Sequence, residues 1–101
     1  MKVNAMLSII PIGVGISLSE YVAACERVLE EAGLYRRLHA HGTNVEGEWD
    51  EVMAAIRRCV ETVHHMGAPR VSTFIKLGTR TDRVPDSEEM VRSVETKLRE
   101  H

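Results

Sequence analysis

In "VNAMLSII" (residues 3–10) the hydrophobic pattern has a period of two, with Val3, Ala5, Leu7 and Ile9 on one side and Asn4, Met6, Ser8 and Ile10 on the other. In an extended chain that spacing sends alternate side chains to opposite faces, so the stretch predicts a strand with one face in a core. The period then changes. Beyond the Pro/Gly loop "PIGVG", Leu18, Tyr21, Val22, Cys25, Val28, Leu29 and Ala32 recur at helical spacing. Ser17 followed by Glu20 predicts a capping box at the helix start, and Gly33 supplies a left-handed closing residue.

The switch repeats downstream. "YRRLHAH" (35–41) reads as a strand, Gly42-Thr43 as a tight turn, and "NVE" as a short returning strand. A second helix is predicted from near Gly47, with Trp49, Val52, Met53, Ile56, Cys59, Val60 and Val63 on its stripe and Gly67 closing it. "PRVSTFIKL" (69–77) is the last strand, and a third amphipathic helix with Met90, Val91, Val94 and Leu98 covers roughly 87–99. The order β-α-β-β-α-β-α predicts an α+β chain, a ferredoxin-like βαββαβ sandwich with an extra C-terminal helix. Right-handed crossovers place both main helices on one face of a four-stranded antiparallel sheet. A chain of 101 residues has room for one core, so 1–101 is expected to be a single domain.

This architecture assigns Val3, Ala5, Leu7, Ile9, Leu38, Ala40, Val45, Val71, Ile75 and Leu77 to the helix-covered face. The opposite face receives Met6, Ser8, Tyr35, Arg37, His39, His41, Asn44, Glu46, Arg70, Ser72, Phe74 and Lys76. Polar groups interleaved with Met6, Tyr35 and Phe74 suit a subunit interface, a ligand platform, or both. A long, apolar last strand left as a free edge invites association, so an oligomer is expected.

Composition narrows the partners. Lys and Arg total 13, are scattered, and leave a net charge of −2, so there is no basic stripe to collect nucleic-acid phosphates. No stretch reaches the ~18 apolar residues of a membrane span. "MKVNAMLSIIPIGVGI" followed by "VAAC" has the outline of a lipoprotein signal, but Asn4, Ser8, Pro11, Gly13 and Gly15 interrupt its apolar run, against the signal pattern. Cys25 and Cys59 lack metal or redox spacing and fall on helical stripes, which predicts buried free thiols in a reducing, cytoplasmic setting.

The polar cluster "HAHGTNVEGEWDEV" (39–52) is the richest in chemistry. His39 and His41, two apart on a strand, offer two imidazoles to a metal, but no third ligand follows from the spacing, and no metal site is expected. Ser8, Ser72 and Thr73 lack the base and orienting group that a nucleophile requires, so no catalytic residues are expected. "GVG" (13–15) is no dinucleotide fingerprint, because the third glycine position is Leu18, and at most it lends backbone N–H groups to an anion. Glu48 and Asp50 suit the first turn of a helix, which leaves Asn44 and Glu46 to meet a ligand on the exposed face.

Taken in order, "SIIPIGVGISLSEYV", "HAHGTNVEGEWDEV" and "GAPRVSTFIKLGTRTD" resemble the small thiamine-binding (YkoF-like) protein family nearly end to end. That resemblance implies a ferredoxin-like fold, a homodimer or homotetramer built through the sheets, and binding of thiamine or its hydroxymethylpyrimidine half with no established catalysis; no cofactor is expected. The positions matching the family's motifs are Ser8, Pro11, Gly13, His39, Gly42, Thr43, Glu46, Trp49, Arg70 and Lys76. The ligand-binding set expected here is Ser8, Pro11, Gly13, His39, Thr43, Asn44, Glu46, Trp49 and Lys76. Ala40-His41 stands where the family often carries Pro-Met, so the pocket is expected to differ at His41. The alternative is an oligomeric regulatory or scaffolding module whose sheet face serves assembly alone; an enzyme acting on a small heterocycle ranks third.

Overall fold

A computed structural model describes residues 1–100. In chain order the elements are β1 (Lys2–Ile12), α1 (Ser19–Glu31), β2 (Tyr35–His39), β3 (Gly42–Glu48), α2 (Trp49–His65), β4 (Arg70–Gly78) and α3 (Ser87–Arg99). The four strands form one antiparallel sheet in the order β2-β3-β1-β4. This is the ferredoxin-like arrangement that the alternating periods predict.

Register explains which residues become core. Ala5 stands between Val45 and Leu77, and Leu7 between Thr43 and Ile75, so one face of three strands is apolar except at Thr43. Against it pack Cys25, Val28 and Leu29 of α1 and Val52, Ile56, Cys59 and Val63 of α2. Leu29, Val45, Val52, Cys59 and Val63 have no exposed surface; burying an aliphatic side chain of this size stabilises by roughly 1.5–3 kcal/mol. The thiols of Cys25 and Cys59 are free and buried. They cross the helix–helix seam, Cys59 Sγ donating to the Cys25 carbonyl at 3.6 Å.

Several local expectations yield to tertiary context. The "PIGVG" loop begins later than predicted, because Pro11 and Ile12 extend β1 and pair with Val71 and Arg70. Pro11 lies beyond the last β3 partner of β1, Leu7↔Thr43, so its missing N–H disrupts no second ladder. The Ser17–Glu20 capping box does not form; Leu18 is the cap residue of α1, and no side chain caps it. Gly42-Thr43 begins β3, and the two-residue turn is Ala40-His41. Gly42 is small for another reason: a Cβ there would come within 2.7 Å of the Leu7 carbonyl oxygen. His41 therefore sits in the turn rather than on the open face, and α2 starts at Trp49 rather than near Gly47.

α3 differs from the other helices. Asp86 caps it by accepting from the Glu89 N–H at 3.1 Å, yet the helix buries no residue. Its first turn is anchored to the open sheet face: Glu88 accepts from the Tyr35 hydroxyl and from Arg37 Nη1, and Glu46 accepts from the Ser87 N–H. The radius of gyration is 15.1 Å, against roughly 13 Å for a compact chain of about 100 residues.

Candidate functional site

The site begins where β1 outruns its neighbour. β3 pairs with β1 only as far as Leu7↔Thr43, so along Ser8, Ile9 and Ile10 the β3 side of β1 borders a cavity instead of a strand. The β2–β3 turn closes one side with Leu38, His39, Ala40 and His41, and α1 closes the other with Leu18, Val22, Cys25, Glu26 and Leu29. The cavity measures about 290 Å³, at the small end of the ~300–1,000 Å³ typical of ligand pockets. Leu38, on the core side of β2, is 53% exposed because α1 does not reach over it. That leaves an apolar wall open to a planar ligand.

The deep end is polar. Among the described residues, Glu26 and Thr43 are the buried polar ones. Thr43 Oγ1 donates to Glu26 Oε2 at 2.9 Å, and Arg36 Nη1 donates to Glu26 Oε1 at 3.0 Å. Arg36 also reaches Glu30 Oε2 at 2.8 Å; these two contacts hold its guanidinium above its ordinary pKa, the Glu30 hydrogen bond contributing most. At the rim His39 Nδ1 accepts from the His41 N–H at 3.4 Å, and His39 Nε2 lies 3.3 Å from Asn44 Oδ1. Beside the cavity, the Cys59 thiol is pushed far up by sharing a hydrogen bond with Cys25 and by burial, which makes it a poor nucleophile.

Of the nine residues expected at the site, Ser8, His39 and Thr43 line this cavity together. Asn44 touches it through His39 but faces α3 across the open sheet. Pro11 and Gly13 lie towards β4, where a Cβ on Gly13 would meet Pro69 at 2.9 Å. Lys76 pairs with Met6 on the open face. Trp49 begins α2 at the far end of β3, its N–H donating to the Met1 carbonyl at 2.8 Å. The six steps from Gly42 to Glu48, at ~3.3 Å each, put that end roughly 20 Å from the turn.

Glu46 needs correction in one respect. No helix cap within the hairpin accounts for it, but it accepts from the Ser87 N–H at the start of α3. The helix it serves is more than 40 residues away in sequence, so spacing gave no sign of the contact. Glu26 was missed in the opposite way. It stands four residues after Val22 and three before Leu29, in phase with the apolar stripe, and a carboxyl group in such a position was the available signal.

Among the described residues no three His, Cys, Asp or Glu side chains gather to hold a metal, and no helix is long and apolar enough to cross a membrane.

Fold and cavity together define a small ferredoxin-like α+β domain with a half-open pocket beneath the β2–β3 turn. The chain belongs to the thiamine-binding protein family, whose model matches residues 5–95. The UPF0045 protein sll0230 of Synechocystis sp. is 54% identical over 98 residues, covering 97% of this chain and 81% of that protein. The UPF0045 protein ECM15 of Eremothecium gossypii is 38% identical, covering 99% and 98%. Among solved structures, the hypothetical protein MJ1052 of Methanocaldococcus jannaschii superposes with a TM-score of 0.87 at 33% identity, covering 93% of this chain and 96% of that one. A candidate thiamine biosynthesis/salvage protein of Thermotoga maritima shares the fold at 17% identity and a TM-score of 0.78, covering 92% and 99%.

Proposed function

We propose that this protein binds thiamine or its aminopyrimidine half in the cavity under the β2–β3 turn, without transforming it, as a cytoplasmic homo-oligomer. The observation that carries the reading is the meeting of Ser8, His39 and Thr43, from two separate family-like motifs, around the buried Glu26. Membership of a family described as thiamine-binding supports the ligand class. Oligomerisation is supported by what a lone chain leaves uncovered: Ile10, Ile12 and Phe74 on the open sheet face and the whole α3 stripe.

Titration calorimetry with thiamine, its phosphates and the pyrimidine fragment tests the ligand. Saturable one-to-one heats with thiamine or the fragment are expected, and no heat with any of them overturns the reading. Light scattering tests the assembly, and a monomer mass at micromolar concentration overturns it. An oligomer that binds none of these ligands would instead favour a scaffolding module, for which the exposed α3 stripe already speaks.

A further inference from the structure

The cavity's deep polar surface has a specific hydrogen-bonding sense. The Thr43 hydroxyl commits its only hydrogen to Glu26, so towards the cavity it offers lone pairs alone. Glu26 has further acceptor capacity on both oxygens, since a carboxylate provides about four lone-pair sites and only two are occupied. Arg36, the nearest cation, stands behind the carboxylate and does not line the cavity. It is moreover divided between two carboxylates, Glu26 and Glu30, so the cluster Glu26–Arg36–Glu30 has a formal charge of −1. Buried acceptors with lone pairs to spare, backed by net negative charge, fit a ligand edge that presents donors only and carries positive charge.

We propose that Glu26 and Thr43 form the specificity-determining pair of the pocket and select a planar cationic amidine edge, as presented by a ring-protonated aminopyrimidine. The inference rests on the proposed aminopyrimidine reading and goes further by fixing the ligand's protonation state. The exocyclic amine donates to one acceptor and the protonated ring nitrogen to the other, both towards Glu26 and Thr43. The flat ring lies against Leu38 and Ile9, which border the cavity on the helix-covered side of the sheet. A neutral pyrimidine would set its ring nitrogen lone pair against the carboxylate, and a pyrimidinone would set its carbonyl there. Binding from neutral solution therefore takes up a proton onto the ring nitrogen.

The test uses the full chain and the aminopyrimidine fragment, titrated in buffers of different ionisation enthalpy near neutral pH. The parent protein should take up close to one proton per ligand bound, and the corresponding pyrimidinone should bind at least about tenfold more weakly. Glu26→Gln should weaken aminopyrimidine binding by roughly 10- to 150-fold and abolish the proton uptake; Thr43→Ser, which keeps the hydroxyl, should retain both. If the parent binds the aminopyrimidine without proton uptake, or binds the pyrimidinone equally well, the selection is overturned while the ligand class stands. These two readouts need no variant, so a Glu26→Gln chain that fails to fold does not shield the proposal. Absence of all pyrimidine binding by the parent overturns the ligand class and this inference together.

Discussion

Helices α2 and α3 carry apolar stripes of the same spacing and meet opposite fates. In α2, Val52, Ile56, Cys59 and Val63 are at most 4% exposed, whereas Met90, Val91, Val94 and Leu98 of α3 are 54–69% exposed. The difference lies in connectivity. α2 joins β3 to β4, which flank β1 on either side, so the chain must carry it across the sheet and its stripe has an assured partner. α3 follows the last strand after an irregular segment, and contacts at its start tie it to the sheet. A period identifies a helix and its apolar side, but topology decides whether a surface waits for it.

The sharpest way to break that comparison is a matched pair of truncations. Ile56→Ala in α2, at a site 4% exposed, should lower unfolding free energy by roughly 2–5 kcal/mol, whereas Leu98→Ala in α3 should stay within about 0.5 kcal/mol. Urea unfolding of dilute protein measures both. Equal losses would mean that the α3 stripe is buried after all, as an assembly would bury it, and dependence on protein concentration would identify that assembly.

The next effect is smaller and lies on the covered side. Thr43→Val keeps the shape but deprives buried Glu26 of its hydroxyl donor, which should cost roughly 1–3 kcal/mol. No change in the denaturation midpoint would show that water replaces the hydroxyl there.

On the open side, Glu46→Ala removes the carboxylate that receives the Ser87 N–H. Loss of a capping acceptor costs about 0.5–2 kcal/mol, here confined to the docking of α3. Hydrogen exchange of the amides at the start of α3 should quicken while the core amides stay protected. Weaker ligand binding with α3 unmoved would instead return Glu46 to the binding site.

The smallest expected effect is the pH response of the same anchor. The hydrogen bond to Glu88 pushes the Tyr35 phenol up to about 12, and the same bond, helped by Arg37, holds the Glu88 carboxyl below its ordinary value. A raised phenol pKa contributes stability that is full below the ordinary ~10 and is lost as pH climbs towards 12. A lowered carboxyl pKa contributes stability that is present above the usual glutamate range and is lost as pH falls through the folded value. α3 should thus stay anchored between these limits and loosen beyond either. Both groups are well exposed, so the energies are small. Ultraviolet titration should show Tyr35 ionising near 12 and returning towards ~10 in Glu88→Gln; a phenol unmoved by that change would mean that the contact is absent.

The local periods of the chain were sufficient for the element order, the class of fold, the core stripes of α1 and α2, and the burial of both cysteines. They also pointed to the turn at 39–43 as the place where chemistry gathers, and Ser8, His39 and Thr43 do meet there. Tertiary structure decided the rest. Pro11 joins a strand because β3 ends before reaching it, and Glu46 caps a helix that follows it by some 40 residues. Glu26 passes for an ordinary acidic helix residue until Thr43 and Arg36 arrive from the neighbouring hairpin. Periodicity records which side of an element avoids water, and that is a local property of the chain. Which polar atom meets which is set by strand register and helix placement, and these exist only once the distant segments have packed together.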